Sequence, residues 1–263
     1  MTVTCNTQFF KNVIRLTTPQ IWIYFFVIQL TPSFGQTGEE ILNKYLDTVS
    51  NGNVKKWDDI KSLYVTSSSY FSASAFQSQG KTMTTDDLGY KKLYKIWPDK
   101  QKEELYRDPN YSDVPSKFYF LKNKHVIILN ITSMPPMETP VRKSLWFEFY
   151  PKRIQQYIKE SKEINFIGEK EIPGKTSAYY EVEIKTKEEN HYLLFNKETY
   201  LLEGKFFPDK DIYWIFSDYK ETEGYLIPML DTGIRDGIVF FWVMYNEFKF
   251  NIAIDPKIFI PPN

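Results

Sequence analysis

Apolar positions in this chain recur first with the period of a helix and later with the period of a strand. Ile41, Leu42, Tyr45, Leu46 and Val49 are spaced three and four apart, with Glu39 and Glu40 in the first turn, which predicts a helix opening at Thr37. Asn51-Gly52-Asn53 ends it. From Ser62 to Ala75 the residues are Ser, Thr, Tyr and β-branched types, which predict a strand. Tyr90 to Trp97 and Lys102 to Tyr106 form two short strands around the turn at Pro98-Asp99-Lys100-Gln101, and Phe118 to Leu121 with Val126 to Ile131 form a hairpin. The proline-rich stretch from Met134 to Pro140 suits neither a helix nor a central strand. A second helix is predicted over Val141 to Glu163, with Leu145, Trp146, Phe149, Ile154, Tyr157 and Ile158 on one side and Pro151 breaking or kinking it.

After Gly168 the pattern alternates. Ala178, Tyr180, Val182 and Ile184 share one face, and Tyr179, Glu181, Glu183 and Lys185 the other. His191 to Asn196, Tyr200 to Phe207, Asp211 to Lys220, Gly237 to Glu247 and Phe248 to Ile254 continue the series. Short polar joins between them predict neighbouring antiparallel strands. Two of these strands break clean alternation. Ile212, Trp214 and Phe216 oppose Tyr213, Ile215 and Tyr219; Val239, Phe241, Val243 and Tyr245 oppose Phe240, Trp242 and Met244. A sheet wet on one side alternates apolar with polar residues, so both faces here must be covered, or one must border a ligand cavity.

The first 35 residues read as a separate segment. Lys11 and Arg15 are the only charges before Glu39; the apolar run Ile21 to Leu30 follows, then Ser33 and Gly35. This order matches a secretory signal peptide cleaved after Gly35, and the run is too short to span a bilayer. The division predicted is residues 1–35 as signal and 36–263 as one domain. The sole cysteine, Cys5, lies before the apolar run, so it is not a lipoprotein-type acylated cysteine. Its removal leaves a product without thiols, exported or periplasmic.

Composition narrows the chemistry. With 33 Lys plus Arg against 33 Asp plus Glu, the chain is neutral and lacks the basic excess of a nucleic-acid binder. Its 21 Phe, 19 Tyr and 6 Trp carry a large apolar area that favours strands. Only 2 His are present, His125 and His191. No Gly-x-Ser-x-Gly, His-Glu-x-x-His, phosphate-binding Gly-rich loop or Cys-x-x-Cys occurs. The expectation is therefore a non-enzyme without metal or cofactor. A carboxylate-based hydrolase and an exported structural protein that binds a partner through an aromatic sheet face remain the alternatives.

Several turn and strand-end motifs carry a family resemblance. These are Asn196-Lys197-Glu198-Thr199-Tyr200-Leu201-Leu202; the run from Phe216 to Pro228, with Asp218-Tyr219, Gly224 and Pro228; and Phe248-Lys249-Phe250-Asn251 with Phe259. Together they resemble the outer-membrane lipoprotein-sorting-like, or LolA-like, carriers in their divergent bacterial form, over Glu163 to Asn263 and more loosely from Thr37 to Ile131. The resemblance implies an α+β protein: a curved antiparallel half-open β-barrel with helices packed into or over its concave face, around an apolar cavity. The implied partners are a lipid or an acylated protein, together with assembly components of the inner or outer membrane. Candidate cavity walls are Trp146, Phe149, Tyr180, Phe206, Trp214, Phe216, Trp242 and Met244. N-terminal sequencing of the exported protein is expected to begin at Gln36; a mature form that retains residues 1–35 contradicts the signal assignment.

Overall fold

The computed structural model describes residues 36–71, 89–122, 125–130, 137–140, 148–161, 163–172, 174–187 and 189–261. Residues 1–35, the expected signal segment, and Trp146 lie outside the described residues. From Thr37 onward the chain forms one compact unit.

Helix α1, Gly38–Val49, forms where the periodicity predicts it. Thr37 closes its N-terminus with a capping box: the Glu40 amide donates to Thr37 Oγ1 at 3.2 Å and the Thr37 amide donates to Glu40 Oε2 at 2.9 Å. Its apolar stripe of Ile41, Leu42, Tyr45, Leu46 and Val49 is buried throughout. Gly38 sits where the helix meets the sheet, and a Cβ there would come within 3.0 Å of the Asn165 carbonyl carbon.

Among the described residues thirteen antiparallel strands make a single curved sheet. In chain order they are β1 Ser62–Phe71, β2 Gly89–Ile96, β3 Lys100–Tyr106, β4 Lys117–Lys122, β5 His125–Asn130 and β6 Met137–Pro140, then β7 Glu163–Glu171, β8 Ala178–Lys185, β9 Asn190–Asn196, β10 Leu202–Phe207, β11 Ile212–Thr222, β12 Tyr225–Arg235 and β13 Ile238–Phe250. One meander runs from β1 to β6 and another from β13 back to β7, and they join where β1 pairs with β13. The edges are β6 and β7. Pro140, which has no amide proton to give, pairs with His125 in the edge strand, where that loss is tolerated.

Helix α2, Tyr150–Glu160, follows β6 and precedes β7, so it links the two edges of the sheet. It begins at Tyr150, with Pro151 in its first turn instead of kinking its middle, and the predicted stretch 141–147 lies outside the described residues. It ends earlier than the sequence pattern predicts: Glu163, expected in the helix, opens β7. Strand β12 is an addition to the predicted set. Pro228 interrupts its pattern; it pairs with Tyr219 of β11, while pairing between β12 and β13 begins only at Leu230. The two late strands predicted on either side of Glu247 are one continuous strand, β13.

Both helices pack on the same face. The main core joins the α1 stripe and Ile154 and Tyr157 of α2 to Leu63, Val65, Val182, Ile184, Leu193, Phe195, Phe216, Tyr225, Ile227, Phe248 and Phe250. The opposite face carries a smaller cluster of Ile172, Tyr179, Leu194 and Ile215, edged by Phe206, Tyr213 and Ile234. The two-sided apolar strands are explained by this pair of layers. Leu42 is fully buried in the main core, so Leu42→Ala is expected to lower unfolding free energy by about 2–5 kcal/mol. Met244, 45% exposed, should tolerate Ala within about 0.5 kcal/mol. Equal effects in chemical denaturation would contradict this layering.

Candidate functional site

Inner-face residues of β11, β12 and β13 converge beneath the start of α2. Register places Phe216 opposite Asp231 and Asp231 opposite Val243, while Trp214 lies opposite Gly233 and Phe241. Alternation predicts Tyr219 on the outer face, but Asp218 adopts the left-handed backbone conformation (φ 54°) and Tyr219 packs against the main core. The result is a small cavity of about 30 Å³. Tyr45 of α1, Phe149, Tyr150 and Pro151 of the α2 start, Phe216 and Tyr219 of β11, Ile227, Pro228 and Asp231 of β12, and Tyr245 and Phe248 of β13 line it, together with Glu148 and Leu202. That volume accommodates a couple of waters or one small polar group.

Asp231 is the unusual member. It is 7% exposed. Its Oδ2 accepts from the Tyr245 hydroxyl at 2.7 Å and from Trp214 Nε1 at 3.4 Å, while Oδ1 is buried with no hydrogen-bond partner among the described residues. Burial pushes its carboxyl up to about 7, and the two donors oppose that rise only in part. The neighbouring Glu148 behaves oppositely. Burial raises it, but Lys205 at 3.3 Å and Arg153 at 3.7 Å outweigh that effect and hold it below the usual carboxylate range. Two carboxyls thus border one cavity in different settings: Asp231 has no cation paired with it among the described residues, and Glu148, partly buried, is clamped between two.

The polar inner face extends further. His191 is buried against Tyr157, ring centres 4.9 Å apart, and burial lowers its imidazole to about 4, with Lys205 adding to the shift. On β2 and β3, Lys95 Nζ donates to Gln101 Oε1 at 3.0 Å, Gln101 Nε2 donates to Glu103 Oε1 at 3.0 Å, and Lys91 pairs with Glu103 at 2.9 Å. Desolvation lowers Lys95 to about 8. The described residues include no group of three or more metal-capable side chains. They also include no helix long and apolar enough to cross a membrane.

The structure brings together some of the wall candidates and separates others. Phe149 and Phe216 line the cavity. Trp214 and Tyr180 are on the same face, packed against the main core. Phe206 belongs to the outer-face cluster, stacked on Tyr213 at 4.6 Å. Trp242 and Met244 pair with Thr232 and Leu230 and so also face outward, Trp242 stacking on Tyr70 at 5.9 Å. Tyr245, Tyr150 and Asp231 were not among the candidates. Asp231 would have stood out as the lone acid on an apolar strand face had Tyr225 to Arg235 been read as a strand.

Comparison with solved structures places this architecture. A LolA superfamily protein from Nitrosomonas europaea shares the fold with a TM-score of 0.56 at 12% identity, over 86% of this chain and 99% of that one. A DUF1329 family protein from Desulfovibrio piger aligns with a TM-score of 0.55 at 12% identity, over 85% of this chain and 95% of the other. No family model matches the sequence, and neither does any curated protein. The chain is a protein of the LolA-like fold.

The two buried groups impose opposite pH dependences. Asp231, raised from 3.8 to about 7, binds more protons folded than unfolded, so its contribution to stability is full below about pH 4 and is lost as pH rises to 7. His191, lowered from 6.5 to about 4, makes stability rise over pH 4 to 6.5. Asp231→Asn removes only the first. Its stability relative to the parent is therefore expected to climb between pH 4 and 7, by up to about 4 kcal/mol, and then level off. A pH-independent difference in chemical denaturation would show that Asp231 titrates normally.

Proposed function

We propose that this protein is a non-catalytic exported carrier that shields an apolar ligand, either a lipid or the acyl chain of an acylated protein, against the inner face of its sheet. The observation that carries the reading is the uneven cover of that face. α1 is held by five large buried side chains and a capping box, whereas α2 buries only Pro151, Ile154 and Tyr157 and has no side-chain cap. Beneath α2 lies a floor of rings, with Tyr150 against Phe216 at 4.7 Å and Trp214 against Phe241 at 5.3 Å.

With a cavity of only about 30 Å³, the described conformation is closed; ligand sites for small molecules are about 300–1,000 Å³. Lifting α2 would supply the space. Releasing its three anchors costs about 5 kcal/mol. A chain of about fifteen methylenes removed from water gains about 12 kcal/mol, which exceeds that cost. The fold shared with the LolA superfamily protein supports the same reading, and the signal-like N-terminus supports an exported or periplasmic location.

An outer-face strip favours a second reading, partner binding through the sheet: Val239 is 38% exposed and Met244 45%. The two readings separate by mutation. Under the carrier reading the purified protein takes up long-chain lipid from vesicles at about one per protein, and Ile154→Ala, by loosening α2, raises apparent affinity at least tenfold. Phe216→Lys abolishes uptake, and Met244→Lys leaves it unchanged. Protein that stays lipid-free in every form, with no thermal shift on adding lipid, contradicts the carrier reading.

A further inference from the structure

We infer that the cavity at Asp231 is a binding site for a cationic amine head, so that the cargo is an amphiphile bearing a protonated or alkylated nitrogen; this rests on the carrier reading. Three observations converge on that chemistry. The first is an unmatched negative group. Among the described residues Asp231 forms no ion pair, its Oδ1 is buried without a hydrogen-bond partner, and its side chain is one of those that line the cavity. A buried carboxyl with nothing opposite its charge is unfavourable to keep, and a cation seated there would remove the penalty.

The second observation is the wall. Tyr45, Phe149, Tyr150, Tyr219, Tyr245 and Phe248 surround the space, and the negative faces of aromatic rings attract cations strongly once water is excluded. An anionic head would meet these rings, Asp231 and Glu148 together, and each of them disfavours it. The third observation is that the cations beside the cavity's other carboxylate are already engaged. Lys205 and Arg153 are held by Glu148 at 3.3 and 3.7 Å, and no side chain of the described residues takes the role of counter-ion to Asp231. A volume of about 30 Å³ admits a small head group without rearrangement, and the attached chain would follow the inner face under α2.

The test compares three probes with the same twelve-carbon chain: dodecylammonium, dodecanol and laurate, each titrated by calorimetry at pH 7 below its micelle concentration. The amine is expected to bind at least tenfold tighter than the alcohol, and laurate weaker than both. In Asp231→Asn, whose fold is checked by circular dichroism and thermal melting, the amine and the alcohol should bind within about twofold of each other, with the alcohol's affinity unchanged. Equal binding of amine and alcohol in the parent protein makes Asp231 a seat for buried water only; it overturns this inference and leaves the carrier reading standing. An amine preference that survives Asp231→Asn also overturns it. Binding of none of the three overturns both.

Discussion

An open antiparallel sheet whose inner face is made of rings and branched aliphatic side chains cannot leave that face to water. Everything else in this molecule follows from how the face is covered. The two meanders joined at β1 and β13 give a surface too broad for one helix. α1 takes the part nearest β7, β8 and β12, and α2, strung between the two sheet edges, takes the rest. The first cover is deep and capped; the second rests on few anchors and an ion-paired lead-in at Glu148. That asymmetry is what the carrier reading rests on.

The polar groups on the inner face divide along the same line. Where α2 enters, Glu148 is matched by Lys205 and Arg153 and stays ionised at little cost, which fixes the helix start without sealing the space below. On β2 and β3 the chain Lys95–Gln101–Glu103–Lys91 satisfies itself internally. Asp231 has no such match among the described residues. Under the proposed reading, a cationic head entering the cavity would supply it.

The sheet and both helices were legible from periodicity, because strands and helices impose different spacings on apolar residues, whereas the helices' place over the concave face was what the resemblance implied. Errors arose where local chemistry masks a period. Pro228, Gly233 and Asp231 break the pattern of Tyr225 to Arg235, so β12 was missed, and with it the acid at the cavity. Pro151 suggested a kink because its position within the helix depends on where the helix begins. The wall candidates on β13 show a deeper limit. Trp242 and Met244 differ from Phe241, Val243 and Tyr245 only in parity, and register shifts at Thr66/Ser67 and Gly233/Ile234 decide which parity faces inward. Those shifts are set by neighbouring strands distant in sequence. Apolar content alone does not report them.

The account stands on α2 as the movable cover of a ring-lined floor. Hydrogen exchange measured along the whole protein, with and without a saturating long-chain lipid, tests this most directly. The account predicts faster exchange across Tyr150–Glu160 in the lipid-bound protein, with the amides of α1 unchanged. Lipid bound at full occupancy with α2 as protected as before would place the ligand elsewhere and contradict it.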